Sequence, residues 1–267
     1  MPPSHHGIVW EPLAPAHHTA LATLFARMEA RDNPPYRTSP GEVAEMLGGA
    51  TQWSGIAGFA TRGLAAGRMI AYAQVTIRHP GRVECVCSGG VDPGFRRIGL
   101  GGAIVDWQEG AARANPGSGV VTGLGVSQGD TVGAGALVCH VEAGQEDLEA
   151  QLQSHGFHWS RTYYEMRADL SSLPERPSLG AYLSLEAWAP EWEEPARQAA
   201  NLLNEVEWGR PPLTEEQWFQ GRMSFVPEWS FLLVDRRGDR PRVGGFLIAS
   251  RYEQDWAALG WREGYID

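Results

Sequence analysis

The sequence contains no lysine; all 22 of its basic side chains are arginines. Schiff-base chemistry and a catalytic lysine are thereby excluded. No run approaches the roughly 20 apolar residues needed to cross a bilayer, and the opening Met1-Pro-Pro-Ser-His-His-Gly lacks a basic stretch followed by an apolar one. The expectation is a cytoplasmic protein with no membrane partner. Cysteine is scarce: Cys85, Cys87 and Cys139 are odd in number and lack metal-ligand spacing, which argues against a disulfide framework and a metal site. Cys85 and Cys87, two residues apart, share one face of a strand and read as small buried hydrophobes. Positive charge is also short, 22 basic against 32 acidic residues for a net charge of -10. A nucleic-acid partner is not expected, because such affinity comes from Lys and Arg neutralising phosphates; a small or cationic substrate fits better.

Core-forming residues are plentiful. With 43% hydrophobic and 20% charged side chains the composition is globular, and 267 residues are enough for two domains on a prior of roughly 150 each. Ile8 to Leu13 reads as a strand. Leu21, Leu24, Phe25 and Met28 recur at helical spacing within Pro15 to Arg31. Asp32-Asn-Pro-Pro-Tyr breaks that helix, and Thr38-Ser39-Pro40 opens another that runs to Leu47. Strand patterns at Ser54 to Thr61, Arg68 to Arg78 and Arg82 to Val91 suggest an antiparallel meander. A helix at Gly101 to Ala114 follows, then a Gly-rich loop over Asn115 to Ala136. The remaining expectations here are a strand at Ala136 to Glu142, a helix at Gln145 to His155 and a strand at Trp159 to Leu170.

Ser171 to Ser178, polar and holding two prolines, reads as a linker. After it the opening order returns: a strand near Ala181 to Ala187, a helix from Pro195 to Val206, a Pro211-Pro212 break and a helix at Thr214 with Gln217 placed for a capping box. Strands at Trp229 to Asp235 and Arg242 to Ser250 follow. The expected domains are therefore 1–172 and 179–267, a degenerate tandem repeat whose second copy stops before any counterpart of the Val91 to Gly102 segment. Seven tryptophans, Trp188, Trp192, Trp208, Trp218, Trp229, Trp256 and Trp261, crowd the second unit. They suit a core or an apolar site.

The segment Val91-Asp92-Pro93-Gly94-Phe95-Arg96-Arg97-Ile98-Gly99-Leu100-Gly101-Gly102 joins a strand to a helix. The first amides of a helix lack internal acceptors and lie at the positive end of its dipole, so an anionic diphosphate is stabilised there. Gly99 and Gly101 let the backbone approach closely, and Arg96 and Arg97 can add charge-assisted bonds. With Val91-Asp92-Pro93 before it, Arg96-Arg97-Ile98-Gly99-Leu100-Gly101 resembles the acetyl-CoA signature of the GNAT N-acetyltransferases. Leu152-Gln153-Ser154-His155-Gly156-Phe157 and Tyr163 to Leu170 resemble the helix end and closing strand of that superfamily, so the likeness covers about residues 8 to 170.

The resemblance implies an α/β (α+β) fold: a central, mostly antiparallel mixed sheet flanked by helices, with a second, partial GNAT-like unit behind it. It places acetyl-CoA, or another acyl-CoA, between the strands Arg82 to Val91 and Ala136 to Glu142. Backbone at Gly89, Gly90 and Val91 would pair with the pantetheine arm, Arg96, Arg97, Ile98, Gly99, Leu100, Gly101 and Gly102 would wrap the diphosphate, and Gln145 would touch the arm. The paired units resemble the mycothiol synthase type and the tandem acetyltransferases of actinobacterial secondary metabolism. The implied activity is acyl transfer to a small amine-bearing metabolite without a metal, and a homodimer is compatible with it. Many relatives carry a proton-donating Tyr four residues before the helix-ending Gly, where this chain has Leu152. Glu84 is the nearest candidate base, but it needs a strand bulge to share the face of Cys85. The alternative reading is a non-catalytic acyl-CoA-binding protein.

Overall fold

The computed structural model describes residues 3, 5–49, 51–78, 84–114, 136–173, 175–176, 178–208 and 212–266. The Gly-rich segment at 115–135, the strand start at 82–83 and Pro211 fall outside them. Five strands form the first sheet in chain order: β1 (Ile8–Pro12), β2 (Trp53–Ala60), β3 (Met69–Arg78), β4 (Glu84–Val91) and β5 (Ala136–Cys139). The pairings are antiparallel up to β4, and β4 with β5 is parallel. The run Ile70 to Val75 on central β3 is buried on both faces. Its odd positions Ala71 and Ala73 are small and meet Ile104 of α3 (Leu100–Ala114), whereas Tyr72 faces Leu21 and Leu24 of α1 (His18–Asp32) and Val43 and Leu47 of α2 (Pro40–Gly48). Helices thus cover both faces. Ser39 caps α2 reciprocally with Glu42, at 3.2 and 2.7 Å.

After α4 (Glu146–Ser154) the expected closing strand is not formed. Residues 159–169 join none of the three sheets, and Trp159, Tyr163, Tyr164 and Met166 stand exposed. The reason is a competing anchor. Arg167 pairs with Glu263 at 3.0 Å, and Tyr36 bonds Glu165 and Arg167, which draws the segment to the α1–α2 loop and the far end of the chain.

The second unit repeats the first in local order. One constant shift carries Ile8 to Leu183, Pro15 to Pro190, His18 to Glu193 and Pro40 to Glu215, the first residues of matching elements. These are β6 (Leu183–Ala187), a 3-10 turn at Pro190–Trp192, α5 (Glu193–Trp208) and α6 (Glu215–Phe219), and β6 pairs antiparallel with β7 (Phe231–Asp235), which pairs with β8 (Arg242–Leu247). The Thr214 and Gln217 capping box forms. The same shift sets Trp188, Trp218 and Arg222 against the aliphatic core trio Leu13, Val43 and Leu47. Ala196 and Ala200 stand where α1 has Leu21 and Phe25, so volume moves from the long helix to Trp188, just after β6, and to Trp218 in α6. Glu193 accepts from both indoles at 2.8 Å and from Arg222, which lies over the Trp218 ring. Short β9 (Ala249–Ser250) pairs with β10 (Tyr265–Ile266), and α7 (Trp256–Leu259) lies between them. No helix among the described residues is long and apolar enough to cross a membrane.

Polar contacts tie the units together, including Thr51 to Gln220 at 2.9 Å and the Arg37 amide to Asp255 at 2.6 Å. Burial pushes the Asp255 carboxyl above its ordinary value despite the Arg37 bond, with Glu42 adding repulsion. A carboxyl raised in the folded state binds its proton more tightly there, so its ionisation opposes folding as pH climbs through that range and has no effect below the unfolded value. Asp255→Asn keeps an oxygen acceptor for Arg37. It is expected to raise the unfolding free energy at neutral pH and to change nothing in acid, which urea melts at both pH values will check.

Candidate functional site

The parallel pairing of β4 with β5 runs from Glu84 opposite Ala136 to Cys87 opposite Cys139 and ends there, while β4 continues along β3 to Val91. The two strands therefore part at Cys87. Asp92 N donates to Ile70 O at 2.8 Å, which fixes the alternation of the β3–β4 ladder. The backbone groups of Ser88 and Gly90 face β3, and those of Gly89 and Val91 face the opening. Of the three residues expected to pair with a ligand arm, Gly89 and Val91 are so oriented. Gly90 is not; a Cβ there would meet Met28 Sδ at 2.6 Å, so its lack of a side chain serves the approach of α1. Val91 O also accepts from Arg96 Nε at 3.1 Å.

Beyond the strand, buried Asp92 sets the loop. Its Oδ1 accepts from Gly94 N at 2.9 Å, and its Oδ2 binds Arg27 Nε at 2.6 Å. Arg97 (φ 66) and Gly99 (φ 87) are left-handed, and the first internal bond of α3 is Ala103 N to Gly99 O at 3.2 Å. The amides of Leu100, Gly101 and Gly102 therefore precede the helix ladder, at the positive end of a 15-residue helix. Two left-handed turns followed by free amides make a concavity suited to a phosphate group. Gln151 of α4 and His155, its C-cap, pack against this turn, since a Cβ at Gly101 would meet Gln151 at 2.7 Å and one at Gly102 would meet His155 at 3.5 Å.

The arginines divide. Arg96 is held by Asp32 through two bonds of 2.6 Å, which push its guanidinium value up, so it anchors the loop to α1. Arg97 binds Asp147 of α4 at 2.5 Å with both side chains about 80% exposed. An exposed pair of this kind contributes roughly 0–1 kcal/mol. Asp147→Asn frees Arg97 for an anion at little cost in stability. The expected result is acyl-CoA binding tightened about threefold at low salt, with the gain lost at high salt, as measured by titration calorimetry.

No protein-family profile and no curated protein sequence matches the chain. Solved structures do. The GCN5-related N-acetyltransferase from Sphaerobacter thermophilus is 21% identical over 99% of this chain and 76% of its own, with a TM-score of 0.57. A tandem GNAT protein from the clavulanic acid biosynthesis pathway is 17% identical over 92% of this chain and 75% of its own, with a TM-score of 0.58. The chain has the GNAT fold. Both likenesses run across both units.

Within this GNAT fold the remaining candidates are dispersed. Leu152 is buried at 7% exposure and offers no proton. Glu84 stands three residues before the fork, about 10 Å away along the strand. The β3–β4 register is unbroken, so no bulge brings Glu84 to the face of Cys85. Gln145 is the N-cap of α4 but makes no side-chain cap bond, and its side chain is half-buried. Exposed His140 lies against Tyr163, with ring centres 6.2 Å apart. Sequence reading missed one pair: Tyr72 Oη and Ser88 Oγ, 2.8 Å apart, immediately past the fork. Burial pushes the Tyr72 phenol up to about 12, so it stays protonated at neutral pH. Strand alternation across two separate segments is the signal that could have joined them.

Proposed function

We propose that the chain is an acetyl-CoA-dependent N-acetyltransferase acting on a small amine-bearing metabolite, with the acyl-CoA held by the first of two units, 1–172 and 179–267. The observation that carries this reading is the fork at Cys87 and Cys139, opening directly onto the free amides of Leu100 to Gly102. The residues fit the ligand in kind: Gly89 and Val91 would pair with the amides of the pantetheine arm, and Arg97 with the α3 amides would hold the diphosphate. Arg96 and Gly90 act on the loop and on α1 packing. Glu84 is too far from the fork to be the base, so the amine would lose its proton to solvent. No metal enters the reaction, and the acceptor would approach the fork from the α1–α2 side.

Titration with acetyl-CoA, followed by thiol release against a panel of amines, tests the reading. Binding with turnover supports it. Binding without turnover by any acceptor would favour a non-catalytic acyl-CoA-binding protein, a reading supported by buried Leu152 at the usual donor position. Equal, weak binding by the wild type and a loop variant of Arg97, Gly99 and Gly101 would remove both.

A further inference from the structure

A ligand whose diphosphate rests on the first turn of α3, and whose arm pairs with Val91 and then Gly89, runs down β4 toward the apex of the fork. Its sulfur therefore arrives where β4 leaves β5, beside Cys87 and Ser88. When the thioester is cleaved, the electron pair of the C–S bond passes to that sulfur, and a hydrogen-bond donor aimed there stabilises the charge as it develops. Leu152 offers none. Ser88 is the first residue past the apex, half-buried, with its hydroxyl 2.8 Å from that of Tyr72.

The direction of that hydrogen bond follows from burial. Tyr72 is 3% exposed, packed against α1 and edge-on to Phe25 at 5.2 Å between ring centres. Were Ser88 the donor, the phenol hydrogen would be left without an acceptor in the core, which costs about 1–3 kcal/mol. With Tyr72 donating, the Ser88 hydrogen is free to point into the fork.

We propose that Ser88 is a catalytic residue whose hydroxyl donates a hydrogen bond to the departing CoA thiolate, and that Tyr72 is the positioning residue that aims it. This rests on the acyl-CoA reading above. The carbonyl carbon gains its bond to the amine nitrogen as the C–S bond breaks, the sulfur takes the electron pair, and the proton lost by nitrogen returns through solvent to sulfur. Ser88 stays protonated throughout, so no alkoxide is required.

The test reads the thiol itself. The thiolate absorbance of CoA bound to the full chain is titrated against pH as a difference spectrum with and without CoA. Burial pushes the Cys87 thiol up to about 12, clear of the range in which CoA titrates. In the wild type the bound thiol should ionise at lower pH than free CoA. Ser88→Ala should return it to the free value, Ser88→Thr should retain the shift and Tyr72→Phe should lose part of it. With an acceptor, Ser88→Ala should lower kcat about tenfold with the acetyl-CoA KM unchanged, less than the loss of an oxyanion donor because sulfur is the weaker acceptor. CoA that binds Ser88→Ala with the wild-type titration would overturn the proposal and leave the cofactor reading standing. CoA that fails to bind the wild type would overturn both.

Discussion

Asp92→Ala will lower the unfolding free energy by about 3 kcal/mol and weaken acyl-CoA binding by more than tenfold. Asp92 is 5% exposed and receives Arg27 Nε at 2.6 Å, while Arg27 also donates to Met69 O at 2.6 Å. Removing the carboxylate leaves a largely buried guanidinium with one partner of two, and breaking such a pair costs about 3–5 kcal/mol. Arg27 is 24% exposed and Arg68 lies 3.7 Å from the same carboxylate, so partial solvation puts the loss at the low end of that range. The binding loss has a separate cause. The other carboxylate oxygen caps Gly94, and without it the turn at Pro93–Phe95 that directs the loop into α3 is unfastened. Asp92→Asn can keep the Gly94 bond while losing the ion pair, so it should recover binding better than stability. Urea melts and CoA titrations on the two variants separate the effects. Parallel losses in both measurements would sink the two-role account.

The contrast with Arg96 and Arg97 explains what sequence could tell and what it could not. The loop was legible because its demands are local: a proline and a capping aspartate to turn the chain, a glycine at a left-handed position, then a helix. The repeat was legible for the same reason, since a Pro-Pro break followed by a capped helix recurs in both halves of the chain. Partners distant in the chain were not. Arg96 reads as a phosphate ligand until Asp32, 64 residues earlier, is seen to hold it. Gly90 reads as a ligand contact until Met28 is found against it. The apparent strand at 159–170 has the β-branched and aromatic residues that strands favour, yet Arg167 answers to Glu263, 96 residues away. Strand pairing depends on which edge is within reach, and composition carries no information about that.

Gly99→Val will weaken acyl-CoA binding by more than tenfold while leaving the fold intact. A Cβ at this position meets nothing within 4 Å, so crowding is not the cause. The backbone at φ 87 is. A left-handed conformation costs an ordinary residue roughly 1–2 kcal/mol, and a β-branched side chain is less tolerant still. The loop relieves that strain by rotating Gly99 out of the left-handed region, which re-aims the amides of Leu100, Gly101 and Gly102. Preorganised donors lose most of their value when misdirected by about 1 Å. Gly94→Ala supplies the control: its Cβ would meet only Asp92 Oδ1, at 3.3 Å, and its φ lies outside the left-handed range. That variant should bind nearly as the wild type does. If titration calorimetry finds the two variants alike, the diphosphate does not rest on the first turn of α3, and the route of the arm along Val91 and Gly89 to the fork falls with it.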